Sequence, residues 1–139
     1  MNVKNAVNPT GEQASAFFGA PDDGPFCMVN LLKFKAKAEY VDGSGADMTG
    51  EAAYALYGAA VAKIVIGLGG KIRFSGAVTG LMLGEVEDLW DAVAIAEYPS
   101  LAAMQAMVMS KEYQAIHHHR DAGLAGQLNI RTKPAPGFL

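Results

Sequence analysis

The chain has 139 residues, 51% of them apolar, which is enough for one hydrophobic core and too little for two ordinary ones. Its formal charge of -3, with lysines scattered rather than striped, excludes the clustered cationic footprint that a nucleic-acid backbone demands. The longest apolar stretch, AAVAKIVIGLGG, is interrupted by Lys63 and falls short of the roughly 20 residues that span a bilayer, so no membrane partner is expected. Cys27 stands alone and cannot form an internal disulfide, and MNVKNAVNPTGEQ lacks the apolar run of a secretory signal; together these predict a cytoplasmic setting.

Thr10 and Gln13 form a capping-box pattern ahead of Ala14, Phe17 and Phe18, which predicts a short helix over 10–18. PFCMVNLLKFK, at 25–35, is a run of β-formers with two apolar alternating sets, and Asn30 is the polar exception on the set that holds Phe26, Met28, Leu32 and Phe34. Residues 36–48, AKAEYVDGSGADM, are Gly- and charge-rich and predict a mobile surface loop or a lid. From Thr49 a helix of about five turns carries the stripe Tyr54, Tyr57, Val61, Ile64, Val65 and Leu68, closed by Gly69 and Gly70. KIRFSGAV, at 71–78, reads as a strand with Ile72, Phe74 and Gly76 alternating against Arg73, Ser75 and Ala77, and LMLGEVED then prolongs it or loops back.

In LWDAVAIAEY, at 89–98, Trp90, Ala92, Ala94, Ala96 and Tyr98 share one strand face, an alanine row that predicts very close approach of a helix. Pro99 and Ser100 stop the strand and cap a helix with core stripe Leu101, Met104, Met107 and Val108. Ser110 restarts or bends that helix through KEYQAIHHHRDAG, Gly123 ends it, and Leu124, Leu128 and Ile130 predict a last strand. The layout is an N-terminal extension with a short helix at 1–25, a domain at 26–131 and an unpatterned tail at 132–139.

After the short helix the order is β, α, β, β, α, β, the split βαβ arrangement of a ferredoxin-like α+β fold, an antiparallel sheet with helices on one face. Yet the strands at 26–34 and 89–98 are apolar on both faces. Leaving some five large side chains of the second face in water forgoes on the order of 10 kcal/mol, comparable to a domain's whole stability. Face-to-face pairing of two copies covers it, so a homodimer, a dimeric α+β barrel, is predicted.

MVNLLKFK (28–35), GGKIRFSG, WDAVAIAEYPS (90–100) and SKEYQAIHHHRDAGL (110–124) together resemble the domain-of-unknown-function family 1330, over roughly residues 26–131. The YPS and EYQ…R elements are specific in combination. The resemblance implies a ferredoxin-like dimeric barrel, related in fold to antibiotic-biosynthesis monooxygenases and muconolactone isomerases, and it implies no established activity. The 36–48 insert and the N-terminal helix depart from the family pattern.

Tyr113, Ile116, His117, Arg120 and Leu124 fall at helical spacing on one stripe, so His117 and Arg120 are expected to face the sheet. There Arg120 can hold an acidic or enolate-like ligand while His117 moves a proton. The competing reading is that both cations simply favour a helix C-terminus, worth about 0.3 to 1 kcal/mol each, and reach to water. His117, His118 and His119 point about 100° apart on a helix and cannot converge on one ion, so no metal site is expected. Asn30 must bond a backbone group or a ligand carbonyl. Trp90, Tyr54, Tyr98, Tyr113 and Arg73 are candidate walls of a ligand pocket, and Asp91 is a candidate partner for Arg73 or Arg120. With no Gly-rich phosphate loop, no nucleotide cofactor is expected. Two functions follow: a small cofactor-independent enzyme for an aromatic or carbonyl-bearing molecule, with His117, Arg120 and Asn30 as its polar groups, or a non-catalytic binding or assembly module on the same fold.

Overall fold

The structure is a computed structural model that describes residues 1–137, so Phe138 and Leu139 of the predicted tail lie outside the described residues. The elements run α1 (Gly11–Phe18), β1 (Phe26–Phe34), α2 (Gly50–Gly67), β2 (Lys71–Ala77), β3 (Ala92–Tyr98), α3 (Leu101–Met109), α4 (Lys111–Gly123) and β4 (Leu124–Thr132). The strands form one sheet in the order β2-β3-β1-β4, every neighbouring pair antiparallel. That is the ferredoxin-like topology, with one difference: the second crossover is two helices. Ser110 explains it, because its backbone is extended (φ -72, ψ 153) while its hydroxyl donates to Met107 O at 2.7 Å and accepts from Tyr113 N at 3.1 Å. One side chain therefore closes α3 and opens α4.

The register separates the sheet's faces. Away from the helices, Phe74, Ile95, Val29 and Ile130 make one cross-strand row, and Gly76, Val93, Leu31 and Leu128 make the next. Phe74 is 54% exposed and Ile130 44%, so this apolar centre lies in solvent in the single chain. Towards the helices, Phe26, Met28, Tyr98, Leu101, Met104, Met107, Tyr57, Val65 and Tyr113 form the main core.

Three sequence expectations change. Strand β2 does not alternate evenly: Ile72 pairs with Ala96 and Phe74 with Ile95, so Arg73 is an extra, bulged residue. Phe74 thus shares the outer face, while Ile72, Ser75 and Ala77 face the helices. Gly123 does not end α4 through a left-handed cap, since its φ is not positive. It is small because α2 crosses there, where a Cβ at Gly123 would strike Gly50 O and stand 2.8 Å from Tyr54 N.

The 36–48 segment is neither free nor a lid over the helix-sheet space. Ala38 N bonds Met48 O at 2.9 Å and Glu39 N bonds Ala122 O at 3.0 Å, and Ala38 packs into a small buried cluster with Ala53 and Ala122. Tyr40 reaches His119 Nδ1 through its hydroxyl at 2.6 Å, which ties the loop to α4. Burial, then the neighbouring His118, lowers the His119 pKa from the ordinary 6.5. A folded-state value below the unfolded one means that protons favour the unfolded chain, so stability should fall as pH drops through about 6.5 and level off below the folded value. Denaturant midpoints measured between pH 7.5 and 5 should show this slope, and His119→Gln should reduce it; an unchanged slope in the variant would refute the assignment.

Candidate functional site

Small residues on β3 do not draw a helix down onto the sheet. Instead Ala92, Ala94 and Ala96 floor a cavity of about 830 Å³ between the sheet and α2, α3 and α4. Helix α2 packs against α4, and between the larger Tyr54, Tyr57, Val61 and Val65 its cleft lining is small, at Ala55, Gly58, Ala59 and Ala62. Where these small residues line the walls, a void remains. Its lining is mostly apolar, and the polar groups gather at the end where α4 meets β4.

At that end a chain of side chains runs from helix to sheet. Arg120 Nη2 donates to Gln127 Oε1 at 2.8 Å, Gln127 Nε2 donates to Asn30 Oδ1 at 2.6 Å, and Asn30 Nδ2 donates to Ala94 O at 3.1 Å and Met28 O at 3.3 Å. One turn earlier on α4, His117 turns Nδ1 to Asp121 Oδ2 at 3.0 Å, while the other oxygen of Asp121 lies 3.6 Å from Arg120 Nη1, too far for a hydrogen bond. His117 and Arg120 both line the cleft, and the Arg120 side chain is only 13% exposed.

Four tyrosines wall the space. Tyr57 and Tyr113 share a hydroxyl contact of 3.1 Å, and Tyr54 stacks obliquely on Tyr57 with ring centres 5.3 Å apart. Burial pushes the Tyr54 phenol up to about 12, partly offset by Arg120, and burial raises Tyr57 and Tyr98 further. The hydroxyls of Tyr54, Tyr57 and Tyr98 are therefore neutral at physiological pH and not bases.

Of the residues expected from sequence, Asn30, Tyr54, Tyr98, Tyr113, His117 and Arg120 come together around the cleft, and Trp90 and Arg73 do not. Trp90 precedes β3 and donates Nε1 to Asn5 Oδ1 at 2.9 Å. Arg73 sits at the bulge and pairs with Glu97 at 2.9 Å. Asp91 pairs with neither expected arginine: its carboxylate accepts from Phe34 N at 2.8 Å and from Lys33 at 3.4 Å. The three histidines do not diverge evenly: His117 turns to Asp121, whereas the ring centres of His118 and His119 lie 4.0 Å apart, with His119 on the Tyr40 hydroxyl. Sequence reading missed Gln127, which is 6% exposed and joins Arg120 to Asn30. The signal was present in GQLNI, where Gln127 and Asn129 alternate with Leu128 and Ile130 and so mark a polar strand face.

These features define a class: a ferredoxin-like α+β protein whose helix-sheet cleft is lined at one end by a histidine and a largely buried arginine. The chain belongs to the family described as Domain of unknown function (DUF1330), whose profile matches residues 40–132. It is similar to the crystal structure of a protein of unknown function from Rhodopseudomonas palustris, at 36% identity and TM-score 0.83 over 95% of this chain and 98% of that one. The methylated form of that protein aligns at 37% identity and TM-score 0.84, over 97% of this chain and 99% of that one. A dimeric protein of unknown function with a ferredoxin-like fold from Bacteroides fragilis, at 9% identity and TM-score 0.43 over 79% and 96% of the two chains, is too remote to bear on this one. No curated protein matches the chain. No helix among the described residues is long and apolar enough to cross a membrane.

Proposed function

We propose that the chain is a small homodimeric enzyme that moves a proton on an aromatic or other carbonyl-bearing molecule bound in the cleft. The observation that carries this is the placement of His117 and Arg120, one turn apart at the polar end of an apolar cavity, with His117 Nδ1 held by the Asp121 carboxylate outside its lining. A carboxylate at Nδ1 favours the tautomer that leaves Nε2 as the basic atom. Nε2 takes a proton from the carbon beside a carbonyl, and the C–H electron pair moves onto the carbonyl oxygen. Arg120 stabilises the resulting oxyanion; return of a proton to the same carbon gives exchange, and return to a conjugated carbon gives a tautomer, with no net redox change in either case. The Asn30 amide hydrogens are engaged by backbone carbonyls, so Asn30 sets the position of Gln127 and, through it, Arg120.

The test is deuterium exchange: a panel of aryl ketones in D2O should lose the α-proton NMR signal faster with protein than with buffer. Ketone binding without enhanced exchange overturns the catalytic reading. It would favour the second one, a non-catalytic binding module, which Arg120's existing bond to Gln127 already suits.

The dimer rests on the outer sheet face. Its two apolar rows are bordered by charged ends, Lys33 with Asp88 and Asp91 at one and Arg73 with Glu97 at the other. An apolar centre with a polar rim is the anatomy of a protein interface, and a two-fold axis lets one face cover another. Sedimentation equilibrium at micromolar concentration should find a dimer, and Leu31→Asp with Ile95→Asp should give a folded monomer. A wild-type monomer would refute the pairing.

A further inference from the structure

A second cavity, of about 490 Å³, lies under the N-terminal segment, walled by Val7, Ala14 and Phe17. It is not separate from the first. Met28, Met104, Arg120, Gln127 and Asn129 line both, so the two chambers meet at the arginine. The segment that roofs the second chamber is held at three points, the first being Asn5, which accepts from Trp90 Nε1. Ala6 bridges to Gln127 through N–H···O bonds of 3.1 and 2.9 Å, and Arg131 sits over the rings of Phe17 and Phe26 at 5.5 and 4.8 Å.

A buried cation between two apolar chambers selects a particular ligand shape. Its polar group belongs in the middle, with apolar groups on both sides, because a ligand with a terminal polar group fills only one chamber. We infer that the site is bipartite and takes an elongated molecule with a central enolisable carbonyl, such as a 1,3-diketone, and an apolar group at each end. The N-terminal segment is then half of the ligand site. This inference rests on the carbonyl reading proposed above.

Two probes separate the claims. Benzoylacetone carries one phenyl group and dibenzoylmethane two, on the same diketone centre. Calorimetry should show both binding, the second at least tenfold tighter. Ala14→Trp, which fills only the second chamber, should leave benzoylacetone affinity within twofold and bring the ratio of the two near one. Val7→Trp on the irregular segment should do the same and carries the test if the helix variant misfolds by circular dichroism. If benzoylacetone binds but the ratio persists in folded variants, the second chamber is refuted and the carbonyl reading stands. If neither diketone binds, both are refuted.

Discussion

Gly50→Ala should destabilise the protein by about 3 kcal/mol or more, beyond the common range for overpacking, and lower its melting temperature by about 10 °C. A Cβ at Gly50 would strike Lys35 O and stand 2.7 Å from both Lys35 N and Gly123 O. Those atoms are engaged already, since Gly50 N donates to Lys35 O at 3.1 Å and Lys35 N donates to Gly123 O at 2.8 Å. Three chain segments, the end of β1, the start of α2 and the end of α4, are stitched by backbone hydrogen bonds where neither glycine can carry a side chain. Backbone cannot rotate aside as a side chain can, so the added methyl group forces the helices apart. Gly123→Ala meets the same obstruction from the other side and should act in the same direction. Gly58→Ala is the control: nothing lies within 4 Å of its Cβ, and removing a glycine from a helix should stabilise by about 0.5 to 1 kcal/mol. Equal melting temperatures for Gly50→Ala and Gly58→Ala would refute the close-crossing account.

His117→Gln should slow ketone deuterium exchange by about 10² to 10⁴, the usual worth of a positioned acid-base group. Its affinity for the ketone and its melting temperature should change little, because His117 is a partly exposed residue on α4. Arg120→Met should behave differently. Losing a charge-assisted hydrogen bond to the ligand weakens binding by about 10-fold or more. It also leaves Gln127 Oε1 without its donor in a buried position, so a measurable loss of stability should accompany it. The two variants thus have opposite signatures, rate in one and affinity with stability in the other. If both lose only stability, the residues are structural cations and the catalytic reading fails.

Much of the fold was legible because local chemistry and global packing agree. The Thr10 and Gln13 box, the Ser100 and Ser110 caps and the two apolar alternating sets of β1 all sit where the pattern places them. The site was legible in part for the same reason: helical spacing brings Tyr113, His117 and Arg120 to one face whatever the tertiary detail. What was not legible depended on distant segments. Trp90 and Asp91 leave the β3 alternation because strand pairing begins at Ala92, and their partners, Asn5 and Phe34, are remote in sequence. The alanine row shows that small residues permit close packing without compelling it. Whether a helix fills that space depends on where its other contacts hold it, here against α4.

The extra residue in β2 bears on solubility. This strand is an outer edge of the sheet, where unpaired N–H and C=O groups offer a template for another chain. A bulge with a charged arginine breaks the regular spacing that an incoming strand must match, and the Lys71 side chain adds a second charge nearby. Deleting Arg73 would straighten the edge while leaving Ile72 opposite Ala96 and Phe74 opposite Ile95, on the faces they already hold. A flat, regular edge strand is a route to fibrous aggregates, so a single surplus residue keeps this margin of the sheet from recruiting strangers.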